Sequence, residues 1–393
     1  MTTTHIKRWF VLSVLAFILF EFLANFLVNS YKWSQQIENL SLAYTLHYYK
    51  LYIELFLLLP IVFFGYRTLK SGKKLLTVVL IVIASLSFYF FGKRSTAEYK
   101  FRPPHQLIFE PVASNIVNDD MIVLGIEING QTKAYPESYI TYHHLFEDSL
   151  GGKRILVTFC GLCRTGRVFE PLVNNEYLTF RLVGIHHNNA MFEDRITKSW
   201  WSQETGKCLI GKMRGLQLPE LLCNSMTLKK WKSLHPATLV MQPDPEFVRN
   251  YRNENFYTSN IENPSEVSAE GTWSMHTFVI SVSINGAYKA YEWSCLRNER
   301  LITDSLNGVK YSIALSIDGK SFTVLKNPSS SVATLSDDIL YFDSVPYSFS
   351  GMRLDAQGPR LKRIRAYREY WFSWKTAHPD TKQYSPKINN EIN

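Results

Sequence analysis

The first hundred residues alternate long apolar runs with short polar, mostly basic segments. Trp9–Val28 is a run of 20 residues interrupted by one charge, Glu21. Leu51–Tyr66 is apolar except for Glu54 and extends back to Leu42, and Leu75–Phe91 has 17 residues and no charge. About 17 to 25 apolar residues suffice to cross a hydrocarbon core, so the pattern predicts three membrane helices. Trp9, Tyr31, Tyr66 and Tyr89 stand near the run ends, where aromatic belts form. The first run is longer than the apolar part of a signal peptide and two more spans follow it. It is therefore expected to be an uncleaved anchor.

Beyond residue 100 the pattern changes to short alternating runs separated by turn residues, and one stretch occurs twice. Val123–Gly152 and Val279–Gly308 share 13 of 30 positions without a gap. Each carries Asn-Gly, the preferred two-residue hairpin turn, followed by Lys-Ala-Tyr and later Asp-Ser-Leu-x-Gly. A second landmark, Trp231-x-x-x-His235-Pro236, recurs as Trp374-x-x-x-His378-Pro379. Strands are expected at Arg154–Phe159, Lys310–Leu315, Leu178–Val183, Ala190–Glu193 and Ser199–Ser202. A helix lies near the end of each copy, the first capped by Thr227. Strand–helix alternation of the doubly wound kind is missing, so the expected class is α+β with mainly antiparallel pairing. The expected organisation is a three-span anchor (1–100), a first repeat (101–242), a polar linker (243–268) and a second, degenerate repeat (269–393).

Charge sharpens this picture. The chain of 393 residues carries a net +9. Residues 1–100 hold 11 Lys and Arg against 4 Glu and no Asp, whereas residues 101–393 hold 32 basic and 30 acidic groups. The excess is thus a topology signal, not a nucleic-acid footprint, and no nucleic-acid partner is expected. Arg67, Lys70, Lys73 and Lys74 mark the second loop as cytoplasmic, together with the N-terminus at Lys7 and Arg8. Residues 93–393 are then extracytoplasmic, anchored in a cell (inner) membrane through residues 9–91; Lys93, Arg94, Lys100 and Arg102 run against this order. Glu54 has Lys50 four residues earlier, which favours an interfacial ion pair over an ion pathway through Glu21 and Glu54.

Features kept in both copies, such as Asn129/Asn285, Lys133/Lys289 and Asp148/Asp304, read as architecture. Chemistry is sought in what only the first copy has. Thr158-Phe-Cys160-Gly-Leu-Cys163-Arg-Thr-Gly-Arg167 faces Ala314-Leu-Ser316-Ile-Asp-Gly319, which lacks Cys. Two Cys at this spacing can share a metal, cycle between dithiol and disulfide, form a structural disulfide or simply pack. Arg164 and Arg167 would favour the thiolate. His187, or alternatively His186, would be a third ligand, with Glu193 or Asp194 as ligand, supporting partner or base. Sulfur plus imidazole suits copper or zinc. Cys208 and Cys223 could bridge each other. Trp200, Trp201, Met191 and Phe192 read as core. A thioredoxin-like reading needs a helix after the pair, whereas Arg164–Pro171 reads as turn and strand.

These segments resemble the domain-of-unknown-function family 3179, found mainly in bacteria. The marks are VLGIEINGQTKAYP, VTFCGLC, NAMFEDRITKSWW-x-Q, GLQLPE and WKSLHPATLV, and they cover most of Asp119–Asp244. Many members have Pro where this chain has Gly161. The resemblance implies that the Cys pair and Asp194, Thr197, Ser199, Trp201 and Gln203 are family features. It implies no activity and does not foresee the three spans. The expected function is a metal-binding or thiol-redox site around Cys160 and Cys163. The alternatives are a non-enzymatic module that binds an envelope protein or a saccharide, and a hydrolase with a Cys nucleophile and a His base.

Overall fold

The computed structural model describes residues 2–31, 33–36, 39–251, 273–328, 331–355 and 357–385. They divide into two compact units, one of residues 1–102 and 173–217, the other of residues 103–172 and 218–393.

In the first unit, α1 (Thr3–Phe26), α2 (Leu40–Tyr48), α3 (Lys50–Lys70) and α4 (Lys74–Ser87) follow one another, and α4 continues into a π-helical segment, Phe88–Arg94. Three helices, Thr3–Phe26, Lys50–Lys70 and Lys74–Arg94, are long and apolar enough to cross a membrane. They meet through Phe10, Val14, Phe17, Ile61 and Ala84, while Leu12, Leu19, Leu55, Leu59 and Val62 face outward. Outward Leu and Val suit a hydrocarbon solvent, where apolar side chains have no reason to turn inward. The second apolar run does not extend back to Leu42 as one helix: the backbone leaves helical geometry at Tyr49, with φ −97° and ψ 11°, and α2 stands apart. Glu21 is fully buried, with Lys50 Nζ 3.3 Å from Glu21 and 3.5 Å from Glu54.

Residues 173–217 group with residues 1–102 in this first unit. Their sheet runs Cys208–Ile210, Trp200–Ser202, Asn189–Asp194, Phe180–His186, all antiparallel. The reason is packing. Val183, Met191 and Trp200 bury themselves with Leu27, Val28 and Ala43 in one cluster. The Val28 carbonyl accepts a hydrogen bond from the Ile185 amide at 2.9 Å. Gly184 permits this approach, since a side chain there would collide with the Val28 carbonyl.

The second unit is α+β with mostly antiparallel sheets. Ile122–Ile128 and Gln131–Pro136 form a hairpin around Asn129 and Gly130, both at positive φ; Phe278–Ile284 and Ala287–Glu292 do the same around Asn285 and Gly286. Positive φ at both turn residues is what Asn-Gly supplies. Each hairpin leads into a short helix, Glu137–His143 or Trp293–Glu299, and then into a second antiparallel sheet. Those sheets contain Leu145–Leu150, Lys153–Cys160 and Thr165–Phe169, and Leu301–Leu306, Val309–Leu315 and Phe322–Lys326. Two short strands pair in parallel, Leu239–Met241 on Gln131–Pro136 and Lys382–Gln383 on Ala287–Glu292. Thr227 caps Leu228–Leu234, its Oγ1 accepting from the Lys230 amide at 3.1 Å. Val123, Ile126, Tyr135, Val157 and Trp231 belong to one core; Ile280, Val282, Tyr291, Tyr311 and Ile313 belong to another. Within the expected linker, Phe247 and Tyr251 are buried in the first of these cores, and residues 252–268 lie outside the described residues.

Candidate functional site

The strand Lys153–Cys160 is buried from Ile155 to Cys160 and delivers its last residue to a tight turn. There the Arg164 amide donates to the Cys160 carbonyl at 2.9 Å, with Arg164 at φ +60°. Thr165–Phe169 then returns as the next strand, pairing Cys160 with Thr165; a strand after the pair excludes the thioredoxin arrangement. Cys160 and Cys163 form a disulfide across the turn, with α-carbons 5.2 Å apart. They are 1% and 0% exposed, while Leu162 at the tip is 46% exposed.

Two elements enclose the turn. The Cys163 carbonyl accepts from the Tyr370 amide at 3.0 Å, just ahead of the helix Trp371–Ala377. On the other side lies the end of Glu137–His143. A β-carbon on Gly161 would stand 3.1 Å from Thr141 Cγ2 and 3.9 Å from His144 Cε1. Burial holds the His144 imidazole down at about 4, so it is neutral at physiological pH. Burial also raises the Glu137 carboxyl, against the opposing pull of Arg368, of the Ser225 hydroxyl at 2.8 Å and of Arg164.

Arg167 does not serve the thiols as expected. Its guanidinium is 1% exposed, donates to Glu369 at 2.9 Å and to Thr165 at 2.5 Å, and lies 3.4 Å over the Tyr367 ring. Glu369 also accepts from Ser281 at 2.8 Å. Glu220 lies 3.7 Å from Arg167, pairs with Arg365 at 3.1 Å and accepts from the Tyr367 hydroxyl. Cys208 and Cys223 are free thiols rather than partners. Burial pushes them up to about 11 and about 12, which keeps both protonated.

The other sequence candidates lie in the first unit. His186 and His187 stand at a hairpin turn, rings 4.0 Å apart, with His187 and Asn188 at positive φ. Glu193 accepts from Arg181 at 2.8 Å and from Trp200 Nε1 at 3.0 Å. Asp194 accepts from the Thr197 amide at 2.5 Å, Thr197 Oγ1 at 2.7 Å, the Ser199 amide at 3.1 Å and Trp201 Nε1 at 3.1 Å. Asp194, Thr197, Ser199 and Trp201 are thus one hydrogen-bonded turn, and Gln203, 1% exposed, continues it through its amide to the Ala190 carbonyl at 3.0 Å. Among the described residues no group of three or more His, Cys, Asp or Glu is placed to hold a metal ion. Cys160 and Cys163, expected with His187 as metal ligands, are bonded to each other. Sequence reading passed over His144 and Glu137; the residues 156 positions further on are different ones, Arg300 and Trp293.

The chain belongs to the family described as Protein of unknown function (DUF3179), whose model matches residues 106–381. Neither a curated protein nor a solved structure matches it.

Proposed function

We propose that the chain is a membrane-anchored thiol–disulfide redox protein whose working couple is Cys160–Cys163. One observation carries this reading. The second half builds the corresponding turn without cysteine: Asp318 accepts from the Lys320 and Ser321 amides at 2.9 and 2.8 Å, and its other oxygen accepts from Ser321 and Thr227. A turn that hydrogen bonds can hold does not need a disulfide for its shape, so the disulfide points to chemistry. We infer that the halves arose by duplication. The identical residues support this, as do the repeated hairpin registers and the reciprocal docking of each turn. The Cys163 carbonyl meets the Tyr370 amide ahead of one helix, and Ser321 Oγ meets the Thr227 amide at 2.9 Å ahead of the other.

The reaction is reduction of the disulfide by a protein dithiol, or its reverse. Two electrons and two protons arrive, the S–S bond becomes two thiols, and the donor becomes a disulfide. The couple lies on the extracytoplasmic side if the basic loop between the second and third spans faces the cytoplasm; labelling of single cysteines placed in each loop of intact cells tests that orientation. Equilibrating the full chain with dithiol buffers and trapping thiols by alkylation tests the redox reading. A reversible two-thiol change in the folded protein is expected.

The near-zero exposure of both sulfurs favours a second reading, a non-enzymatic envelope module in which the disulfide is structural. Under that reading the pair stays oxidised until the protein unfolds.

A further inference from the structure

We propose that His144 is the proton-transfer partner of the Cys160–Cys163 couple, an assignment that rests on the redox reading above. Both sulfurs are shielded from solvent, yet reduction must bring two protons to them. His144 is partly exposed although its Nδ1 is shielded from solvent, and a β-carbon on Gly161 would stand 3.9 Å from its Cε1. It therefore connects solvent to a turn whose sulfurs have no such access of their own.

The backbone fixes where this ring stands. The His144 amide donates to the Ile140 carbonyl at 2.8 Å, and its carbonyl accepts from the Phe159 amide at 2.8 Å. Its φ of +63° is in the left-handed region, uncommon for residues other than Gly although Asn, Asp and His are enriched there. Arg300 has the same arrangement in the second half. Its φ is +59°, its amide donates to Leu296 and its carbonyl accepts from Leu315, each at 2.9 Å. There the guanidinium turns toward Asp338 at 3.8 Å. The backbone device thus belongs to both halves, and the imidazole only to the half that holds the cysteines. His143 on the same helix has its Nε2 2.6 Å from the Tyr251 hydroxyl. Glu137 begins that helix and interacts with Arg164, the turn's own charge, and with Arg368.

The step balances as follows. A donor thiolate attacks one sulfur, the S–S bond breaks, and the departing cysteine thiolate takes a proton relayed through His144 from solvent. The donor's second thiolate then displaces the mixed disulfide, and the other cysteine leaves with a second relayed proton. The donor's own protons pass to solvent, and the imidazole ends unchanged.

The test compares the full-length protein with His144→Gln and His144→Asn. The Asn variant tolerates the left-handed backbone, so loss of function in both is not a folding effect. The rate of reduction by dithiothreitol is followed over a pH range that reaches down to the value near which burial holds His144, about 4. The variants should be slower by at least about tenfold, lose the pH dependence of the parent and recover with added imidazole. Arg300→Gln should match the parent. Equal rates and equal pH profiles in parent and variants would overturn the assignment while leaving the redox reading in place. A parent protein whose disulfide resists reduction until it unfolds would remove the redox reading itself.

Discussion

Arg167 and Glu369, 202 residues apart, form a buried ion pair inside the second unit. Removing one partner leaves an uncompensated charge in a poorly solvated place. Arg167→Met should therefore destabilise this unit by about 3–5 kcal/mol, measured by urea unfolding. Arg167→Met combined with Glu369→Leu should recover most of that loss, since the buried pair is then gone and Glu220, 3.7 Å from Arg167, keeps Arg365 at 3.1 Å. Asp194 presents a different case, because four donors converge on it. Asp194→Asn removes acceptor capacity at nearly constant volume and should cost about 2–3 kcal/mol in the first unit. A catalytic base with no structural duty would instead tolerate the change thermally. Their places in the two motif segments pointed to both residues as site chemistry; Asp194's donors lie within seven residues of it in the Asp-x-x-Thr-x-Ser-x-Trp run, whereas Arg167's distant carboxylate cannot be seen in local sequence.

His235 gives a pH signature. Burial holds it down from 6.5 to about 4, against the upward pull of Glu127, and its ring packs on Trp231 with centroids 4.0 Å apart. The folded state keeps it neutral, whereas the unfolded chain takes up a proton once the pH drops below about 6.5. Folding stability is thus intact above that value and falls as the pH falls toward 4. His235→Gln should flatten this part of the stability–pH curve, as followed by thermal unfolding at a series of pH values.

At the scale of elements, local chemistry was legible and docking was not. Asn129-Gly130 and Asn285-Gly286 announced their hairpins, and Thr227 announced its helix cap, because each feature is satisfied within a few residues. The three long apolar helices were also readable from hydropathy, although the first begins at Thr3 and not at Trp9. By contrast, the strands Phe180–His186 and Asn189–Asp194 carry no mark that sends Val183 and Met191 to Leu27 and Val28. The strand–helix packing around Gly125 offers a direct check. A β-carbon there would strike the Trp231 ring, so Gly125→Ala should cost about 1–3 kcal/mol, the usual consequence of overfilling a packed core. An unchanged unfolding midpoint would contradict this packing.

At the scale of the whole molecule, the three helices long and apolar enough to cross a membrane were the most legible part of the sequence. What hydropathy could not give is the partner of Glu21. The structure supplies it as Lys50, which also faces Glu54. In a low-dielectric setting one ammonium between two carboxylates is a stabilising device, and its loss leaves both carboxylates uncompensated. Lys50→Met should lower the thermal stability of the detergent-solubilised protein, and Lys50→Arg should preserve most of it.

The functional account rests on one couple. Cysteine spacing alone left metal binding, redox chemistry, a structural disulfide and plain core packing open, since all four begin from the same two thiols. The disulfide and the cysteine-free counterpart turn narrow that choice. The most direct measurement is a thiol-trapping redox titration of the full-length protein in membranes, with Cys160→Ser and Cys163→Ser as controls. Reversible interconversion of one disulfide and two thiols, with the protein folded throughout, is the result expected. A pair that stays oxidised at every potential until the protein unfolds would contradict it.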